Sequence, residues 1–419
     1  MLDIKRIREE PEAVKAALAR RDAGLAGAVD AILALDREWR AATTEAEELR
    51  AAQKARSEEI ARAKRSGEDA SEALLQMKEL SAQVKELGER ARVAQEALRD
   101  ALAPLPNLPD PGAAPGPEDE LVRVVGEARE LGFAARDHLE LAGERIDMDR
   151  AARLSGARFA YLKGDLVLLE LALVRWALEK VRGHGFEPVI PPVLVREQAL
   201  FGTGFLPDTE QQIYQLPADD LYLVGTSEVA LASLHAGEIL EVDRLPLRYA
   251  GFSPCFRREA GAAGKDTRGI FRVHQFDKVE MFSFVLPEES EAEHERILRI
   301  EEEILGELEL PYRVVNIAVT DLGNSAAKKY DCEAWLPSQG RYRELTSCSN
   351  TTDYQARRLD IRVRQEKRTE TLHTLNGTAV AVGRTLIALL ENGQQADGSV
   401  VLPGCLAEFG APARLAAAS

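Results

Sequence analysis

Two long segments near the start of the chain carry mostly apolar residues at alternating spacings of three and four, the pattern of helices with one buried face. They cover residues 32–63 and 73–105, and the second series is apolar at every position. A polar turn, RSGED at 65–69, separates them. The pattern predicts an antiparallel coiled-coil hairpin. Helices of roughly 33 residues would make an arm on the order of 50 Å long, at about 1.5 Å per residue.

The first of these two series contains two polar residues, Gln53 and Arg56. They predict a locally loose seam in the distal half of the arm. A two-helix arm buries a single seam, so two roles stay open. It is either an oligomerisation coil or a lever that contacts a large partner away from the body of the protein.

The pattern changes after residue 105. Residues 106–120 are dense in proline and glycine and predict a linker. Beyond it the chain shows short strand patterns that return by hairpins, with a few helical segments between them. This predicts an α+β domain over 121–419, built on an antiparallel sheet with flanking helices. The predicted strands are 221–224, 247–252, 271–284, 312–317 and 331–336; the predicted helices are 147–154, 166–182, 288–308 with a solvated glutamate-rich face, and 383–392.

Composition narrows the class of protein. Lysine and arginine number 54 against 70 acidic residues, a net charge of −16, which argues against non-specific nucleic-acid binding over the whole surface. A local basic face remains compatible with that total. No apolar leader or membrane-spanning run is present, and the four cysteines form no CxxC pair. We therefore expect a cytoplasmic protein with reduced thiols. Neither a P-loop nor a Rossmann glycine pattern occurs.

One segment, residues 256–282, combines a basic, glycine-bearing loop with a largely apolar run that looks like a strand. It reads FRREAGAAGKDTRGIFRVHQFDKVEMF and holds more cations than carboxylates, in contrast to the acidic chain. Two interpretations are open for the segment by itself. It is a solvated hairpin with a mixed-charge tip, or a hairpin that holds an anionic ligand over a sheet.

Three ordered segments resemble motifs 1, 2 and 3 of the class II aminoacyl-tRNA synthetases. They are GFEPVIPP at 185–192, FRREAG at 256–261 and VGRTLIALLEN at 382–392. Together with the predicted arm, TSE at 226–228 and HTLNGT at 373–378, the whole chain resembles the bacterial-type seryl-tRNA synthetases. The resemblance implies a tRNA-binding domain over 1–105, a class II catalytic domain over 121–419, and a homodimer formed through motif 1.

The resemblance also implies an ATP site. Arg257 would clamp the α-phosphate, Arg384 would approach the γ-phosphate, and Phe276 would stack on adenine, although a phenylalanine here could be an ordinary core residue. Arginine suits this work because its planar fork grips phosphate oxygens with two bonds. Mg²⁺ would be held by Glu344 and Ser347. The full ATP set implied is Arg257, Arg258, Glu259, Val273, Phe276, Glu344, Leu345, Thr346, Ser347 and Arg384.

Serine recognition would require polar groups that hydrogen-bond the substrate hydroxyl, because a substrate lacking it would leave them unpaired. The positions implied are Thr226, Ser227, Glu228, Glu280 and Thr378, where each threonine taken singly could be a plain strand residue. Lys265 and Arg268 at the hairpin tip would contact the acceptor end of tRNA. The arm would lie along the long variable stem of serine tRNA.

The interpretation favoured by these features is an enzyme that activates L-serine with ATP and transfers it to tRNA(Ser). Charging of selenocysteine tRNA is left open by the sequence. Two alternatives remain: a synthetase-like paralogue that loads a carrier protein, and a non-catalytic coiled-coil scaffold. The tail at 402–406, LPGCL, departs from the family's usual acidic and aromatic ending.

Overall fold

The computed structural model describes residues 1–67, 69–207, 212–260, 266, 268–366 and 368–418. Within them the chain divides into two compact units, Leu2–Leu108 and Pro109–Ser419, with Met1 grouped with the second. In the described ranges, no helix is long and apolar enough to cross a membrane. All four cysteines are free thiols, and Cys255, Cys332 and Cys348 are buried.

The first unit is the predicted helical arm. Its helices are α1 (Ile4–Glu9), α2 (Pro11–Arg21), α3 (Ala26–Ser66) and α4 (Ser71–Leu102). The first long helix has 41 residues and the second 32, so α3 is longer than the sequence pattern indicated.

Specific residues end α3 and begin α4 at the turn between the two long helices. Gly67 ends α3 with a φ of 74°, a left-handed conformation that glycine adopts without steric cost. The carboxylate of Asp69 then accepts hydrogen bonds from the backbone N–H and the hydroxyl of Ser71, at 2.9 and 2.6 Å. At Gln53, which interrupts the apolar seam, Nε2 donates to Oγ of Ser81 in the facing helix at 2.9 Å, so a hydrogen bond links the two helices there.

The second unit combines helices with mostly antiparallel strands, as predicted. Its helices are α5 (His138–Ala142), α6 (Met148–Ser155), α7 (Asp165–Gly183), α8 (Glu197–Thr203), α9 (Glu228–Ala232), α10 (Ser290–Glu307), α11 (Tyr354–Arg358) and α12 (Val382–Gly393). Its strands are β1 (Glu120–Val125), β2 (Ile146–Asp147), β3 (Tyr161–Leu162), β4 (Glu187–Val189), β5 (Leu194–Val195), β6 (Gln215–Leu216), β7 (Leu221–Leu223), β8 (Ile239–Glu241), β9 (Leu247–Phe256), β10 (Gln275–Val285), β11 (Tyr312–Asn316), β12 (Lys328–Leu336), β13 (Arg341–Asn350), β14 (Arg362–Gln365), β15 (Arg368–Thr371), β16 (His373–Ala381), β17 (Val400–Val401) and β18 (Arg414–Leu415).

Eight of the described strands form the main sheet, in the order β1-β11-β12-β13-β16-β10-β9-β4. Neighbours pair antiparallel except β4, which runs parallel to β9 at one edge. The largest cluster of buried apolar side chains joins this sheet to α7, α10 and α12, through residues such as Leu173, Ile304 and Leu386. The central strands are therefore held rigidly from one face, which fixes the side chains that point from the other.

Helix α10 corrects one sequence expectation. Its glutamates were expected to be solvated, but Glu293 is 4 % exposed and Glu301 is fully buried. The Glu293 carboxylate forms a bidentate ion pair with the Arg248 guanidinium, at 2.6 and 2.7 Å. It also accepts a hydrogen bond from the Ser283 hydroxyl. Burying a carboxylate requires such partners, and these come from β9 and β10, which a helical pattern alone does not reveal.

The hairpin of motif 2 also differs in detail from the prediction. The strand expected over residues 271–284 begins at Gln275, which pairs with Phe256. Just before it, Phe271 and Val273 turn into the core cluster instead of pairing with β9. Their apolar alternation resembles a strand because both side chains are buried, not because the backbone is in the sheet.

Candidate active site

A cavity opens over the sheet where the motif 2 hairpin faces the start of α12. Among the residues predicted for the ATP site, Arg257, Glu259, Val273, Phe276, Glu344, Leu345, Ser347 and Arg384 line it. Lys278 and Thr378 line it as well. The structure thus brings Arg257 of motif 2 and Arg384 of motif 3, more than 120 positions apart in the chain, to one place.

Arg257 stands where β9 ends. Its backbone N–H donates to the carbonyl of His274 at 2.9 Å, and its Nε donates to the carbonyl of Gly225 at 3.2 Å. Its guanidinium carbon lies 5.3 Å from the centre of the Phe276 ring, a cation–π distance. The half-buried ring and the guanidinium therefore form adjacent walls of the cavity, one flat and apolar and one positive.

Arg384 lies in the first turn of α12 and faces β13. Its Nη1 lies 3.2 Å from Oε1 of Glu344 and donates to the Glu344 carbonyl at 3.1 Å. Burial disfavours the charged form of Glu344, but the positive charges of Arg384 and Lys329 outweigh that effect and lower its pKa. Glu344 is consequently an anion beside a fixed cation.

A second carboxylate near Glu344 was missed in the sequence. Asp331 on β12 is paired in register with Ser347 on β13, and its Oδ1 lies 3.0 Å from Nζ of Lys329. Burial raises the pKa of Asp331 to about 7, and the negative charge of Glu344 adds to that rise. Only pairing across two strands places it here, so no local motif could have shown it.

Three other residues predicted for the ATP site, Glu259, Arg258 and Thr346, make contacts with neighbouring parts of the domain. Glu259 has a φ of 51° and its carboxylate accepts from Nη1 of Arg272 at 2.8 Å. Arg258 is exposed and its backbone N–H donates to the Gln212 carbonyl. The hydroxyl of Thr346 donates to Glu301 on α10 at 2.7 Å, so its side chain is engaged on the helix side of the sheet.

The residues predicted for serine binding form a buried polar group next to the cavity. Thr378 on β16 is paired in register with Glu280 on β10. Glu228 begins α9; its N–H donates to Oγ1 of Thr226 at 3.3 Å, and its Oε1 accepts from Gln355 at 2.7 Å. The five residues predicted for serine binding are nearly inaccessible, with exposures between 0 and 8 %.

Burial favours the protonated form of both carboxyl groups in this polar group. Burial raises the pKa of Glu280 to about 7, although the Lys278 charge acts in the opposite direction. Burial also raises the pKa of Glu228. Ser227 differs from its neighbours, since its hydroxyl donates to the Gly251 carbonyl at 3.3 Å and so fixes the backbone of β9.

At the hairpin tip, Arg268 is exposed and its Nε lies 2.9 Å from Oδ2 of Asp137. Lys265, the other predicted tRNA contact, lies outside the described residues. Asp266, beside it, forms an ion pair of 2.7 Å with Arg343 on β13. The described part of the tip is therefore tied to the body of the domain by ion pairs.

Comparisons with known proteins agree with this geometry. Residues 213–393 match the class II tRNA synthetase core domain, in the group specific for G, H, P, S and T. The fold and site thus define a class II aminoacyl-tRNA synthetase. Residues 1–109 match the seryl-tRNA synthetase N-terminal domain. The chain belongs to the seryl-tRNA synthetase family.

Individual relatives are similar over nearly the whole chain. A serine–tRNA ligase of Streptomyces coelicolor is 51 % identical, over 98 % of this chain and 97 % of its own length. The crystal structure of seryl-tRNA synthetase from Pyrococcus horikoshii complexed with ATP has a TM-score of 0.93 and 42 % identity, covering 100 % of both chains. The cytoplasmic serine–tRNA ligase of Naegleria fowleri in complex with AMP has a TM-score of 0.89 and 31 % identity, covering 100 % of this chain and 99 % of its own.

Proposed function

We propose that the protein is a serine–tRNA ligase that works in the cytoplasm, where translation takes place. A carboxylate oxygen of L-serine attacks the α-phosphorus of ATP, the bond to the bridging oxygen breaks, and pyrophosphate leaves. The 3′-terminal ribose hydroxyl of tRNA(Ser) then attacks the seryl carbonyl and AMP leaves. The observation that carries the proposal is the convergence of Arg257, Phe276 and Arg384 on one cavity.

The roles proposed for the ATP residues are those that the family resemblance implies, and the chemistry of each side chain suits its role. The nucleophile is already ionised, so catalysis rests on position and on neutralising phosphate charge rather than on a strong base. Arg257 binds the α-phosphate and Arg384 the γ-phosphate, while Phe276 stacks on adenine. Glu259 accepts from the adenine amino group, and Val273 and Leu345 line the same cavity. Arg258 and Thr346 would contribute to this subsite through their backbone, since the Thr346 hydroxyl is bonded to Glu301.

Glu344 and Ser347 are suited to hold Mg²⁺ together with the nucleotide. The donor chemistry fits: the pKa of Glu344 is lowered, so its carboxylate is available as a hard oxygen ligand, and Ser347 lines the same cavity. Mg²⁺ takes one or two carboxylates and completes its shell with phosphates and water. The ion would neutralise phosphate charge. A Glu344→Gln variant is expected to need more Mg²⁺ for half-maximal exchange; an unchanged requirement would remove Glu344 from the metal site.

Serine is held by the buried polar group. Thr226 and Glu228 receive its ammonium end, Glu280 binds its polar groups, and Thr378 faces its hydroxyl; Ser227 supports this set through the backbone. Alanine and glycine lack the hydroxyl and would leave buried groups unpaired, which is the basis of their rejection.

The tRNA contacts lie at two places. Lys265 and Arg268 at the hairpin tip meet phosphates of the acceptor end, and the arm of the 1–105 domain lies along the variable stem. The linker at 106–120 separates this domain from the catalytic domain at 121–419. This division allows an acidic chain to bind nucleic acid through restricted surfaces.

A homodimer formed through motif 1 completes the proposal. Leu168 and Leu171 on α7 are 53 and 58 % exposed, and Ile190 after β4 is 83 % exposed. A cluster of exposed large apolar side chains favours a protein interface. Sedimentation equilibrium of the purified protein tests this, since a monomer at micromolar concentration would rule the dimer out.

The deciding experiment measures serine-dependent ATP–pyrophosphate exchange and charging of tRNA(Ser) by one preparation. We expect both activities, with alanine, glycine and threonine giving far less exchange. Exchange without charging would favour the carrier-loading paralogue. Absence of exchange with every amino acid would leave the coiled-coil scaffold.

A further inference from the structure

One buried cation in the serine-binding group has no role in the function proposed above. Lys278 on β10 is 8 % exposed and lines the cavity. Its Nζ forms an ion pair with Oε2 of Glu280, two residues along the same strand. The same Nζ donates to Oγ1 of Thr226 at 3.4 Å. One ammonium group therefore holds two of the side chains assigned to serine.

We propose that Lys278 is a positioning residue for amino-acid recognition. Its ammonium group aligns Glu280 and Thr226 and balances the negative charge of two buried carboxylates: Glu228, which receives the ammonium end of the amino acid, and Glu280, which binds its polar groups. This inference rests on the proposed serine–tRNA ligase activity, and it deepens the account of that site.

The charges around Glu280 show why such a cation is needed. Glu228 on α9 acts on Glu280 with its negative charge. Glu301 on α10 also interacts with Glu280, but burial raises the pKa of Glu301 well above its ordinary value, which favours its neutral form. Arg257 contributes a positive charge from the end of β9, but that guanidinium also faces the nucleotide subsite. The Cys255 thiol, the other titratable group nearby on β9, is fully buried, and burial raises its pKa to about 11.

Of the cations that act on Glu280, Lys278 has the larger effect. It also favours the ionised form of Glu228. Without it, burial of Glu280 would be opposed mainly by Arg257, and burial of Glu228 mainly by its hydrogen bond from Gln355, so both carboxyl groups would hold their protons to higher pH. A protonated Glu228 is a poor partner for the substrate ammonium group, and a protonated Glu280 is a weaker acceptor for the polar groups that it binds. Binding of serine should therefore weaken at neutral pH and recover as pH rises.

The test replaces Lys278 with methionine, which fills a similar volume, and with arginine, which keeps the charge. In Lys278→Met we expect KM for serine in pyrophosphate exchange to rise roughly ten- to hundred-fold at pH 7, the range for losing a charged hydrogen bond. KM for ATP should change little in the same variant, and an unchanged value would show that the catalytic domain is still folded. The increase in serine KM should shrink between pH 7 and pH 9. Lys278→Arg should keep a pH profile close to that of the original protein.

A matched control is Lys180→Met on α7, which also removes a lysine paired with glutamates, at 3.1 and 2.6 Å. It should leave KM for serine unchanged. A second probe is ethanolamine, which keeps the ammonium and hydroxyl groups of serine and lacks the carboxylate. If Lys278 acts through Glu280 and Thr226, its replacement weakens inhibition by ethanolamine about as much as it weakens serine binding.

Three results would overturn the inference. The first is an unchanged KM for serine in Lys278→Met. The second is a loss that does not depend on pH. The third is a loss confined to serine with ethanolamine inhibition preserved, because Lys278 would then contact the substrate carboxylate directly. If the original protein shows no serine-dependent exchange, the proposed function itself fails, and the two failures are therefore distinguishable.

Discussion

Arg384 contacts Glu344 twice, with Nη1 3.2 Å from the carboxylate Oε1 and 3.1 Å from the backbone carbonyl. The guanidinium also lies over the ring of Phe271, 4.7 Å from its centre. These contacts come from two different elements, β13 and the loop before β10. They fix the planar fork before a nucleotide arrives, and such preorganisation is what electrostatic catalysis requires.

The first prediction concerns this arginine. Arg384→Ala should lower the rate of serine-dependent exchange by about a hundred- to thousand-fold, the usual cost of removing one preorganised donor. Arg384→Lys should recover little, since an ammonium group cannot reproduce a planar fork. Steady-state exchange kinetics measure the effect. Arg414→Ala, an arginine paired with Asp397, serves as the control, and comparable loss in both variants would show a general effect on folding instead.

The second prediction separates stacking from core packing at Phe276. The ring is half-buried and lines the cavity beside Arg257. Phe276→Ala should raise KM for ATP by about ten- to hundred-fold, because stacking of a base on an aromatic ring contributes roughly 1–3 kcal/mol. KM for serine should change much less. Phe276→Tyr keeps the ring and should restore ATP binding; equal damage from both variants would mean that Phe276 is simply a core residue.

The third prediction uses the buried acid on α10. Burial raises the pKa of Glu301 well above its ordinary value of 4.5, while its bond from Thr346 acts in the opposite direction. The folded protein therefore keeps this proton when the unfolded chain releases it. The contribution of this group to the free energy of unfolding is fully present below about pH 4.5. It declines as pH rises towards the folded pKa, by at most about 1.4 kcal/mol for each pH unit.

Glu301→Gln removes this titration and keeps the shape of the side chain. Its melting temperature relative to the original protein should therefore increase from pH 5 to pH 8, as read by calorimetry. Glu307→Gln, in the same helix with a side chain that is 47 % exposed, should show no such trend. A Glu301→Gln variant that loses stability equally at both pH values would contradict a protonated Glu301.

The outcome at particular residues shows what the sequence could and could not predict. The arm, the α+β class and the hairpin of motif 2 follow from spacing, because hydrophobic periodicity is a local property. Arg257, Phe276, Glu344 and Arg384 were identified from the resemblance to the family, and the structure brings them to one cavity. Their individual roles stay predictions.

The residues that sequence reasoning missed share a physical cause. Asp331 reaches the site through register with β13, and Gln355 reaches Glu228 from a position 127 residues away. Lys278 is closer, and a cation two positions before a glutamate on one strand was a usable signal, because such residues share a face. Burial of Glu301 depends on which face of α10 meets the sheet, and that face carries both apolar and acidic residues.

The last prediction tests the division of labour between the two units. Helices α3 and α4 form the arm, and the compact unit from Pro109 onward contains the entire described cavity. Replacing residues 35–98 with a short glycine-containing turn should therefore leave serine-dependent exchange largely intact and strongly reduce charging of tRNA(Ser). The matched control is a shorter deletion that removes only the end of the arm around the turn at 65–69. It should reduce charging less than the long deletion does. Equal loss of exchange and charging would refute the separation, because the arm would then be needed for the chemistry of activation as well as for holding tRNA.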